Sequence, residues 1–471
     1  MPLNSKQKLA LDAVQQGDNC FITGVAGTGK SHLIREIKKT LEGVVARVAP
    51  TGIAAVNAGG RTLNSWAGVG MMGDPLETYV KKRRNEIPRF DTPGWRIMNT
   101  RTLIIDEISM VSLYMFSMMD RLCRGVRRND KPFGGIQVVC FGDFFQLPPV
   151  PDTKCWGCRG NTTLGEKYTC DAPKNDACVP FEVNVYAFDT CPDGRTPWED
   201  LNFTTFELTQ VYRQTHMPFI ELLNRVRKGE HTQEDIVFLE SLERPLPDDG
   251  IMPTKLYTHN ANVDSENARY YRAIESPEVR YKAKEGYNDK GMFLVDTLRK
   301  GTPDFVCLKI GTQVMMSANV DVDNGLCNGT RGVVTNFVDS EVVVAGPVGT
   351  FIRNNRRLPV VTFALVKGTR TCVVQPHMWS VETSEGAKAY LVQIPLKHAW
   401  ALTIHKSQGL SLSRVQVDLS KCFAPGQAYV ALSRAEQPDG LEILALDPSR
   451  ITTDPKVLAF FSTRKRKHDL L

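Results

Sequence analysis

A glycine-rich segment near the amino terminus constrains the fold more than any other feature of the chain. It reads Gly24-Val25-Ala26-Gly27-Thr28-Gly29-Lys30-Ser31 and follows the short apolar run Cys20-Phe21-Ile22-Thr23. The residues after it, from His32 to Leu41, have helical spacing. A strand, a loop of the form G-x-x-x-x-G-K-S and a helix in this order are typical of a phosphate-binding loop. The segment therefore predicts an α/β protein that binds a nucleoside triphosphate, and a chance glycine-rich turn is the weaker alternative.

Each residue type in this loop suits one part of a triphosphate. The glycines let backbone N–H groups wrap the β-phosphate, and the following helix adds the positive end of its dipole. Lys30 is predicted to reach the β- and γ-phosphates, and the Ser31 hydroxyl is predicted to bind Mg²⁺. The nucleotide-binding residues expected in this loop are Gly24, Gly27, Thr28, Gly29, Lys30 and Ser31.

Two further apolar runs end in polar residues that suit the same site. Residues 102–105 run into Asp106-Glu107, and residues 136–141 lead to Gln146. Ligands of parallel sheets bind at the carboxyl ends of the strands. We therefore predict that Asp106 holds Mg²⁺, that Glu107 orients and deprotonates the attacking water, and that Gln146 senses the γ-phosphate. The plainer alternatives are an exposed acidic turn and a loop after a core strand.

Composition adds few limits. The chain has 471 residues, a net charge of +6 and 42% hydrophobic residues, which fits a soluble globular protein of two to four domains. No apolar run approaches membrane-spanning length and the first residues lack a signal-peptide pattern, so we expect an intracellular protein without a membrane partner. Basic runs permit a nucleic-acid partner without requiring one; they are Lys81 to Arg84, Arg124 to Lys131, Arg353 to Arg357 and Arg464 to Lys467. The last run is either a nuclear import signal or a frayed basic tail.

Five of the twelve cysteines fall in one short stretch. The spacing Cys155-x2-Cys158-x11-Cys170-x7-Cys178 resembles that of four-cysteine zinc sites, with Cys191 as a substitute ligand. Bound Zn²⁺ would supply the cross-link that a loop with little apolar content needs in order to fold. Free thiols in an ordered insertion are the alternative, and the spacing leaves both open.

Several other segments carry recognisable motifs: Leu3 to Val14, Ala49 to Gly52, Gly59 to Trp66, Asp120 to Gln137, Leu208 to Gln214, Leu308 to Val334, Ala401 to Gly409 and Tyr429 to Ala435. Together they resemble the superfamily 1B DNA helicases, specifically the petite-integration-frequency (Pif) family, close to RecD-like motors. The segment from Asp120 to Gln137 is the most specific match. Two features depart from the family pattern: Asn64 stands where a histidine is usual, and the cysteine-rich stretch is longer than the usual connection.

The resemblance implies roles for residues outside the phosphate loop. Gln7 is expected to contact the adenine base, and Arg213 and Arg434 are expected to touch the γ-phosphate. Arginines this far from the loop in sequence neutralise a transferring phosphoryl group only if a second domain closes over it. The expected catalytic residues are Lys30, Glu107, Gln146, Arg213 and Arg434. The implied nucleic-acid contacts are Thr51, Thr62, Asn64, Ser65, Thr403, His405, Lys406 and Ser407.

The implied architecture is α/β, with two RecA-like parallel-sheet motor domains in tandem, a small β-barrel inserted in the second and a cysteine-rich insertion between motor motifs. Short β-rich runs between Leu308 and Leu396 themselves indicate an antiparallel barrel. The expected boundaries are 1–150 for the first motor domain, with a strand-separating insertion at about 67–93; 151–196 for the cysteine-rich insertion; 197–307 and 397–452 for the second motor domain; 308–396 for the barrel; and 453–471 for a basic tail.

The resulting hypothesis is an ATP- and Mg²⁺-dependent DNA helicase, monomeric, acting on single-stranded and forked DNA. Its 5′-to-3′ direction and its preference for DNA come from the resemblance. A superfamily 1 RNA helicase and a protein-stripping translocase are alternatives within the class. A P-loop kinase or transferase is the alternative from another class, and an NTP-gated scaffold is a third.

Overall fold

The computed structural model describes most of the chain. The described residues are 2–51, 54–55, 58, 60–70, 74–87, 90, 92–149, 154–156, 158, 160–164, 167–173, 178, 180, 186–247, 252–288, 292, 295–299, 302–318, 320–321, 326, 330–345, 351–365, 368–382, 388–410, 412 and 414–468. The chain forms two compact units. The first unit holds residues 1–246, 411–413 and 417–471, and the second unit holds residues 247–410 and 414–416.

The first unit is built on a six-stranded parallel sheet whose strand order is β3-β2-β4-β5-β1-β8. Its strands are β1 (Cys20–Gly24), β2 (Val44–Ala49), β3 (Arg61–Thr62), β4 (Thr100–Ile105), β5 (Gln137–Phe141) and β8 (Thr204–Leu208). The short hairpin of β6 (Thr162–Leu164) and β7 (Tyr168–Cys170) lies in the connection between β5 and β8. Because all six strands run in one direction, their carboxyl ends share one edge of the sheet.

The helices of the first unit include those that pack on the two faces of this sheet. They are α1 (Ser5–Gln16), α2 (Lys30–Thr40), α3 (Leu63–Ala67), α4 (Leu76–Arg84), α5 (Pro93–Asn99), α6 (Leu113–Arg127), α7 (Pro197–Asp200), α8 (Met217–Lys228), α9 (Gln233–Glu240), α13 (Gln427–Leu432) and α14 (Pro455–His468). Alternate residues of β1 point to opposite faces, so Phe21 joins one apolar core while Cys20 and Ile22 join the other. The near-continuous apolar strands of the sequence are therefore buried on both sides.

The core on the Phe21 face is rich in aromatic rings and includes the carboxyl-terminal helix. Phe460 of α14 lies 5.4 Å from Phe144 and 4.2 Å from Phe188, measured between ring centroids. Phe21 meets Trp198 edge-on at 5.2 Å. Residues 453–471 were expected to be a basic tail, but Val457 and Phe460 bury α14 against the sheet. The side chains of the basic run 464–467 lie outside the described residues.

The second unit is mostly antiparallel. Its strands are β9 (Thr254–Tyr257), β10 (Val279–Lys282), β11 (Lys284–Tyr287), β12 (Phe305–Leu308), β13 (Gln313–Met316), β14 (Arg331–Ala345), β15 (Phe351–Leu365), β16 (Gly368–Val373), β17 (His377–Glu382), β18 (Lys388–Gln393), β19 (Leu396–His398) and β20 (Ala401–Thr403), and its helices are α10 (Asn260–Ala273), α11 (Val295–Arg299) and α12 (Ile404–Ser407). A five-stranded sheet has the order β16-β15-β14-β13-β19. Strand β20 pairs in parallel with β9. Two further strands are β21 (Val415–Asp418) and β22 (Leu441–Ala445).

The units differ from the predicted domain boundaries at strand β8 and over residues 417–452, which were predicted in the second motor domain and belong to the first unit. Strand β8 was assigned to the second motor domain, yet it pairs with β1 over five residues, from Cys20↔Thr204 to Gly24↔Leu208. The parallel sheet of the first unit therefore extends beyond residue 150. Sequence pattern alone does not reveal this, because a strand of five residues with only two apolar side chains, Phe206 and Leu208, suits either sheet equally well.

Candidate active site

The phosphate loop lies at the carboxyl end of β1 and depends on its glycines. Gly27 and Gly29 have φ angles of +84° and +81°, which residues with a side chain rarely adopt. A Cβ atom on Gly27 would lie 2.5 Å from the Cβ of Arg213, and one on Gly24 would lie 2.3 Å from the carbonyl oxygen of Leu208. The loop is therefore held open by the absence of side chains while β8 and the residues after it pack closely around it.

Lys30 begins α2 and turns its ammonium group back into the loop. Its Nζ donates hydrogen bonds to the carbonyl oxygens of Gly24 at 2.6 Å and Val25 at 3.0 Å. Burial lowers the pKa of Lys30, while the negative charges of Asp143 and Glu107 oppose that shift. A phosphate group would replace these two carbonyls as the partner of a poorly solvated cation, which favours anion binding.

Two carboxylates lie at the end of β4. Asp106 is buried, and its Oδ1 accepts a hydrogen bond from the backbone N–H of Glu107 at 2.9 Å. Burial, together with the neighbouring charge of Glu107, raises the pKa of Asp106 to about 7. Glu107 adopts a left-handed conformation with φ +52°, an uncommon and costly geometry for a residue with a side chain. A divalent cation beside Asp106 would offset the unfavourable burial of its charge.

A buried network connects the end of β5 to the phosphate loop. Asp143 and Arg227 form an ion pair with N···O distances of 2.8, 2.9 and 3.2 Å, and both side chains are at most 2% exposed. The Tyr429 hydroxyl accepts a hydrogen bond from the backbone N–H of Ala26 at 3.0 Å and lies 3.5 Å from Asp143 Oδ2. Gln146 is also buried beside this network, and its backbone N–H donates to the carbonyl oxygen of Asp143 at 2.9 Å.

Both predicted arginines lie in the same compact unit as the phosphate loop. Arg213 packs against Gly27, and its Nη1 donates to the carbonyl oxygen of Ser433 at 3.3 Å. Arg434 is almost fully buried, and its Nε donates to the carbonyl oxygen of Val430 at 2.9 Å. Burial and the positive charge of Arg213 lower the pKa of Arg434 to about 9, and Glu107 opposes this shift. Both arginines were expected in a second motor domain; instead, both belong to the first unit, in the segments next to α8 and α13.

Gln7 lies behind the loop and is occupied by local hydrogen bonds. Its Nε2 donates to the carbonyl oxygen of Thr28 at 3.2 Å, and its Oε1 accepts from the backbone N–H of Asn4 at 3.0 Å. Thr28 is itself buried, with its hydroxyl donating to Val25 at 2.9 Å, whereas Ser31 is exposed. Gln7 therefore joins the start of α1 to the phosphate loop, and its contact with a base stays a prediction.

Three of the predicted nucleic-acid contacts share one local geometry. Thr51, Thr62 and Thr403 each follow or end a strand, and each hydroxyl accepts a backbone N–H three residues later, at 3.2 Å in every case. A threonine cap of this kind leaves the first N–H groups of a short helix directed outward. Such groups are suited to phosphate oxygens.

The other predicted contacts vary in accessibility. Ser65 and Lys406 are exposed, and Asn64 donates through Nδ2 to the carbonyl oxygen of Gly70 at 2.9 Å. Burial lowers the pKa of His405, which favours its neutral form. Ser407 is fully buried, and its hydroxyl donates to the carbonyl oxygen of Ile404 at 2.7 Å. The position of Ser407 does not support direct contact with a nucleic-acid strand, because its hydroxyl completes the turn of α12.

The four cysteines predicted as ligands converge. The Sγ atoms of Cys155, Cys158, Cys170 and Cys178 all lie within 4.8 Å of one another, and those of Cys158 and Cys170 are 3.6 Å apart. Cys191, the suggested substitute, is outside this group and buried near Ser117. In the described part of the chain, no helix is both long enough and apolar enough to cross a membrane.

Sequence reasoning missed three residues of this site. Asp143 follows β5 after a single glycine, close to the strand-end position of Asp106, so its placement was an available signal. Tyr429 lies in a recognised motif, but nothing in the sequence pairs it with Ala26. Arg227 lies in the last turn of a helix that looks amphipathic and basic, and only the fold reveals that its guanidinium group is buried.

A glycine loop and its lysine at the carboxyl edge of a parallel sheet, with buried carboxylates and arginines around them, define a P-loop nucleoside-triphosphate-binding protein. The sequence profile of the PIF1-like helicases matches residues 2–159, and that of the DNA helicase Pif1 2B domain matches residues 303–337. The chain belongs to the PIF1-like helicase family.

Individual relatives cover nearly the whole chain. The ATP-dependent DNA helicase PIF1 of Homo sapiens is 37% identical over 99% of this chain, and the chain spans 65% of that protein, just under two thirds of its length. The crystal structure of Pif1 helicase from Candida albicans has a TM-score of 0.79 and 34% identity, covering 98% of this chain and 99% of that one. The Bacteroides Pif1 structure bound to ssDNA has a TM-score of 0.67 and 28% identity, covering 99% of this chain and 98% of that one.

Proposed function

We propose that this protein is an ATP-dependent DNA helicase that translocates 5′-to-3′ on single-stranded DNA and unwinds forked duplexes. The observation that carries the proposal is that Arg213 packs against the phosphate loop. Arg434 and Glu107 are close enough to Arg213 to interact with its charge. Two arginines beside the loop that carries Lys30 suit the charge that develops on a transferring phosphoryl group. The family supplies the direction of movement and the choice of DNA.

The residues present fit ATP and Mg²⁺. The glycine loop leaves space that a Cβ atom would fill, and burial together with the charge of Glu107 raises the pKa of Asp106, so a bound cation would stabilise its charged form. When bound, Mg²⁺ would neutralise charge on the phosphates. Lys30 and the loop N–H groups would bind the phosphates, Ser31 and Asp106 would hold the metal, and Glu107 would accept a proton from the attacking water.

The roles of Gln146 and the arginines follow from the same network. Gln146 lies on the segment that also carries Asp143, so a change at the γ-phosphate can reach the Asp143–Arg227 pair through that segment. Arg213 and Arg434 stabilise the charge of the transferring group. A P-loop kinase or transferase would need an acceptor pocket and has no requirement for arginines from two distant segments, which makes it the weaker candidate.

The remaining parts of the architecture have proposed roles as well. The antiparallel sheets of residues 308–396 form the small barrel of the second motor domain. Strand β8, Arg213 and Arg434 fell within the bounds 197–307 and 397–452 predicted for that domain, but they belong to the first unit. Residues 67–93 separate the strands; Met71 to Gly73, Pro88, Arg89 and Asp91 of that segment lie outside the described residues. The phosphates of the tracked DNA strand are bound by the backbone N–H groups that follow the helix caps Thr51, Thr62 and Thr403. The same DNA strand is contacted by the side chains of Asn64, Ser65, His405 and Lys406.

The cysteine cluster is proposed to hold one structural Zn²⁺. Four thiolates at Zn–S distances of about 2.3 Å lie within about 4 Å of one another, close to the separation of these Sγ atoms. Elemental analysis of the purified protein is expected to give one zinc per chain, reduced in a Cys158→Ser/Cys178→Ser variant and unchanged in Cys191→Ser. Zinc absent from the wild type, or equal in all three proteins, would contradict the assignment.

The helicase proposal is tested by ATPase and unwinding assays on partial duplexes with a 5′ or a 3′ tail, in DNA and in RNA. We expect ATP hydrolysis stimulated by single-stranded DNA and unwinding of the 5′-tailed DNA duplex, with both lost in Lys30→Ala. Failure of every strand to stimulate hydrolysis would favour the kinase. Stimulation without unwinding would favour a translocase, and preference for RNA tails would favour the RNA helicase.

A further inference from the structure

A concave surface between helices α4 and α6 lies apart from the nucleotide site. Its volume is about 710 Å³, within the range of roughly 300–1,000 Å³ typical of ligand pockets. We call it the basic groove; it is lined by Leu76, Glu77, Val80, Lys81, Arg84, Asn85, Arg121, Arg124, Gly125 and Arg128. Five of these residues are basic and one is acidic.

The groove exists because the two helices approach closely at a glycine. A Cβ atom on Gly125 would lie 2.8 Å from a Cγ atom of Val80, so no larger residue fits there without movement. Arg84 reinforces this contact by donating from Nε to the carbonyl oxygen of Gly125 at 2.7 Å. The floor of the groove is thus fixed by packing, while the longer side chains on either side form its walls.

The basic residues of the groove divide into two groups. Arg84 and Arg124 have structural partners, since Arg124 also binds Asp120 at 2.9 Å. Lys81 and Arg128 are exposed and make no ion pair within the described residues. Arg121 has only a loose pair with Glu77 at 3.8 Å, in which both side chains are well exposed. Positive charge is therefore left available to a ligand.

Helix dipoles explain only part of this pattern. Cations in the last turn of a helix are favourable by about 0.3–1 kcal/mol each, and both α4 and α6 end with them. A cation gains this stabilisation whichever way it points around the end of the helix. It does not account for five basic side chains lining one concave surface, where they repel one another.

We infer that the basic groove binds the phosphate backbone of a second, single-stranded arm of DNA, in addition to the strand that the motor tracks. This inference rests on the proposed function. The groove is too small for a duplex but suits a short run of nucleotides. An acidic amphipathic helix of a partner protein would need a broader apolar floor than Leu76 and Val80 provide.

The test compares two DNA ligands by fluorescence anisotropy: a duplex with a 5′ tail only, and a fork with both 5′ and 3′ single-stranded arms. The groove variant is Lys81→Glu/Arg128→Glu. The matched control is Lys38→Glu/Arg101→Glu, which makes the same change of charge at exposed positions of the first unit outside the groove. All proteins are also assayed for ATPase activity stimulated by a short single strand.

We expect the wild type and the control to bind the fork roughly tenfold more tightly than the tailed duplex, and the groove variant to lose that preference. The slope of log affinity against log salt for the fork should become less steep by about 1.4, as expected for two lost phosphate contacts on a single strand. Stimulated ATPase activity should stay unchanged in both variants.

Two results would overturn the inference. One is equal binding of both ligands by the wild type, which includes the case in which the groove serves an acidic protein segment. The other is an equal loss of affinity for both ligands in the groove variant, which would place Lys81 and Arg128 on the tracked strand. Neither result affects the proposed helicase, whose own failure would be the absence of strand-stimulated ATPase in the wild type.

Discussion

Replacing Arg227 with methionine should destabilise the first unit by about 3–5 kcal/mol, the usual effect of removing one partner from a buried ion pair. Asp143 is fully buried and Arg227 is 2% exposed, so water cannot reach the carboxylate that the substitution would leave behind. The carboxylate also accepts hydrogen bonds from the Phe145 backbone N–H at 3.3 Å and the Tyr429 hydroxyl at 3.5 Å, but both are long and neither donor carries a positive charge. The substitution also removes a guanidinium group lying 4.3 Å from the centroid of the Phe145 ring.

The measurement is urea unfolding followed by tryptophan fluorescence, because four of the six tryptophans, Trp66, Trp95, Trp156 and Trp198, belong to the first unit. The matched control is Arg225→Met on the same helix. Arg225 pairs with Asp235 at 2.6 Å but is 37% exposed, and Asp235, although only 4% exposed, keeps a hydrogen bond from the backbone N–H of Thr232 at 2.9 Å. We expect this control to lose less than Arg227→Met, about 1–2 kcal/mol, because a hydrogen-bonded carboxylate remains.

A double-mutant cycle with Asp143→Leu isolates the pair. Arg227→Met/Asp143→Leu should be more stable than Arg227→Met alone, because an apolar pair costs less to bury than a single unpaired charge. If Arg227→Met costs no more than Arg225→Met, or if the cycle shows no coupling, then the Asp143–Arg227 pair is not the electrostatic centre of the network described above.

Three further outcomes follow from the site. Glu107→Gln should retain ATP binding in an equilibrium assay while losing hydrolysis, and normal turnover would mean that another group is the base. Arg213→Ala should lower the rate of hydrolysis about a thousandfold or more in steady-state assays, as removal of an arginine finger does; near-normal turnover would contradict its placement at the phosphoryl group. Because the pKa of Asp106 is raised, its contribution to the stability of the apoprotein is fully present below its unfolded pKa of about 4 and is lost as pH rises through about 7. Asp106→Asn should therefore raise the thermal midpoint of the apoprotein at pH 8 and change it little at pH 4. Equal effects at both pH values would refute the assignment. A shift of about three pKa units sets an upper bound of about 4 kcal/mol on the change in the free energy of unfolding.

The phosphate loop and the strand-end carboxylates were predictable because their signals are local. A strand, a glycine loop and a helix are adjacent in sequence, so Lys30 and Ser31 need no knowledge of the rest of the fold. Asp106 follows an apolar run of four residues, and the edge of a parallel sheet then fixes its place. The convergence of four cysteines likewise agrees with their spacing.

The features that sequence reasoning missed all depend on contacts between distant segments. Arg227 and Asp143 are 84 residues apart, and Tyr429 meets Ala26 across 403 residues. Nothing in the local pattern of Arg227 distinguishes a buried cation from a surface one. Strand β8 and helix α14 were misplaced for the same reason, since apolar strands and helices fit many partners and only tertiary packing selects one.

The position of the cysteine-rich connection has a practical consequence for protein engineering. It leaves the sheet at β5 and returns at β8, and these strands flank β1 on either side. Because β5 and β8 run parallel, the connection begins at the carboxyl edge of the sheet and ends at the amino edge, so its two ends are held roughly 18 Å apart by two strand spacings and one strand length, whatever lies between them. Doubling the length of a flexible connection adds only about 0.6 kcal/mol to the cost of closing it. A fluorescent reporter or an affinity module could replace part of the cysteine-rich connection, and the parallel sheet would fold around β1 as before.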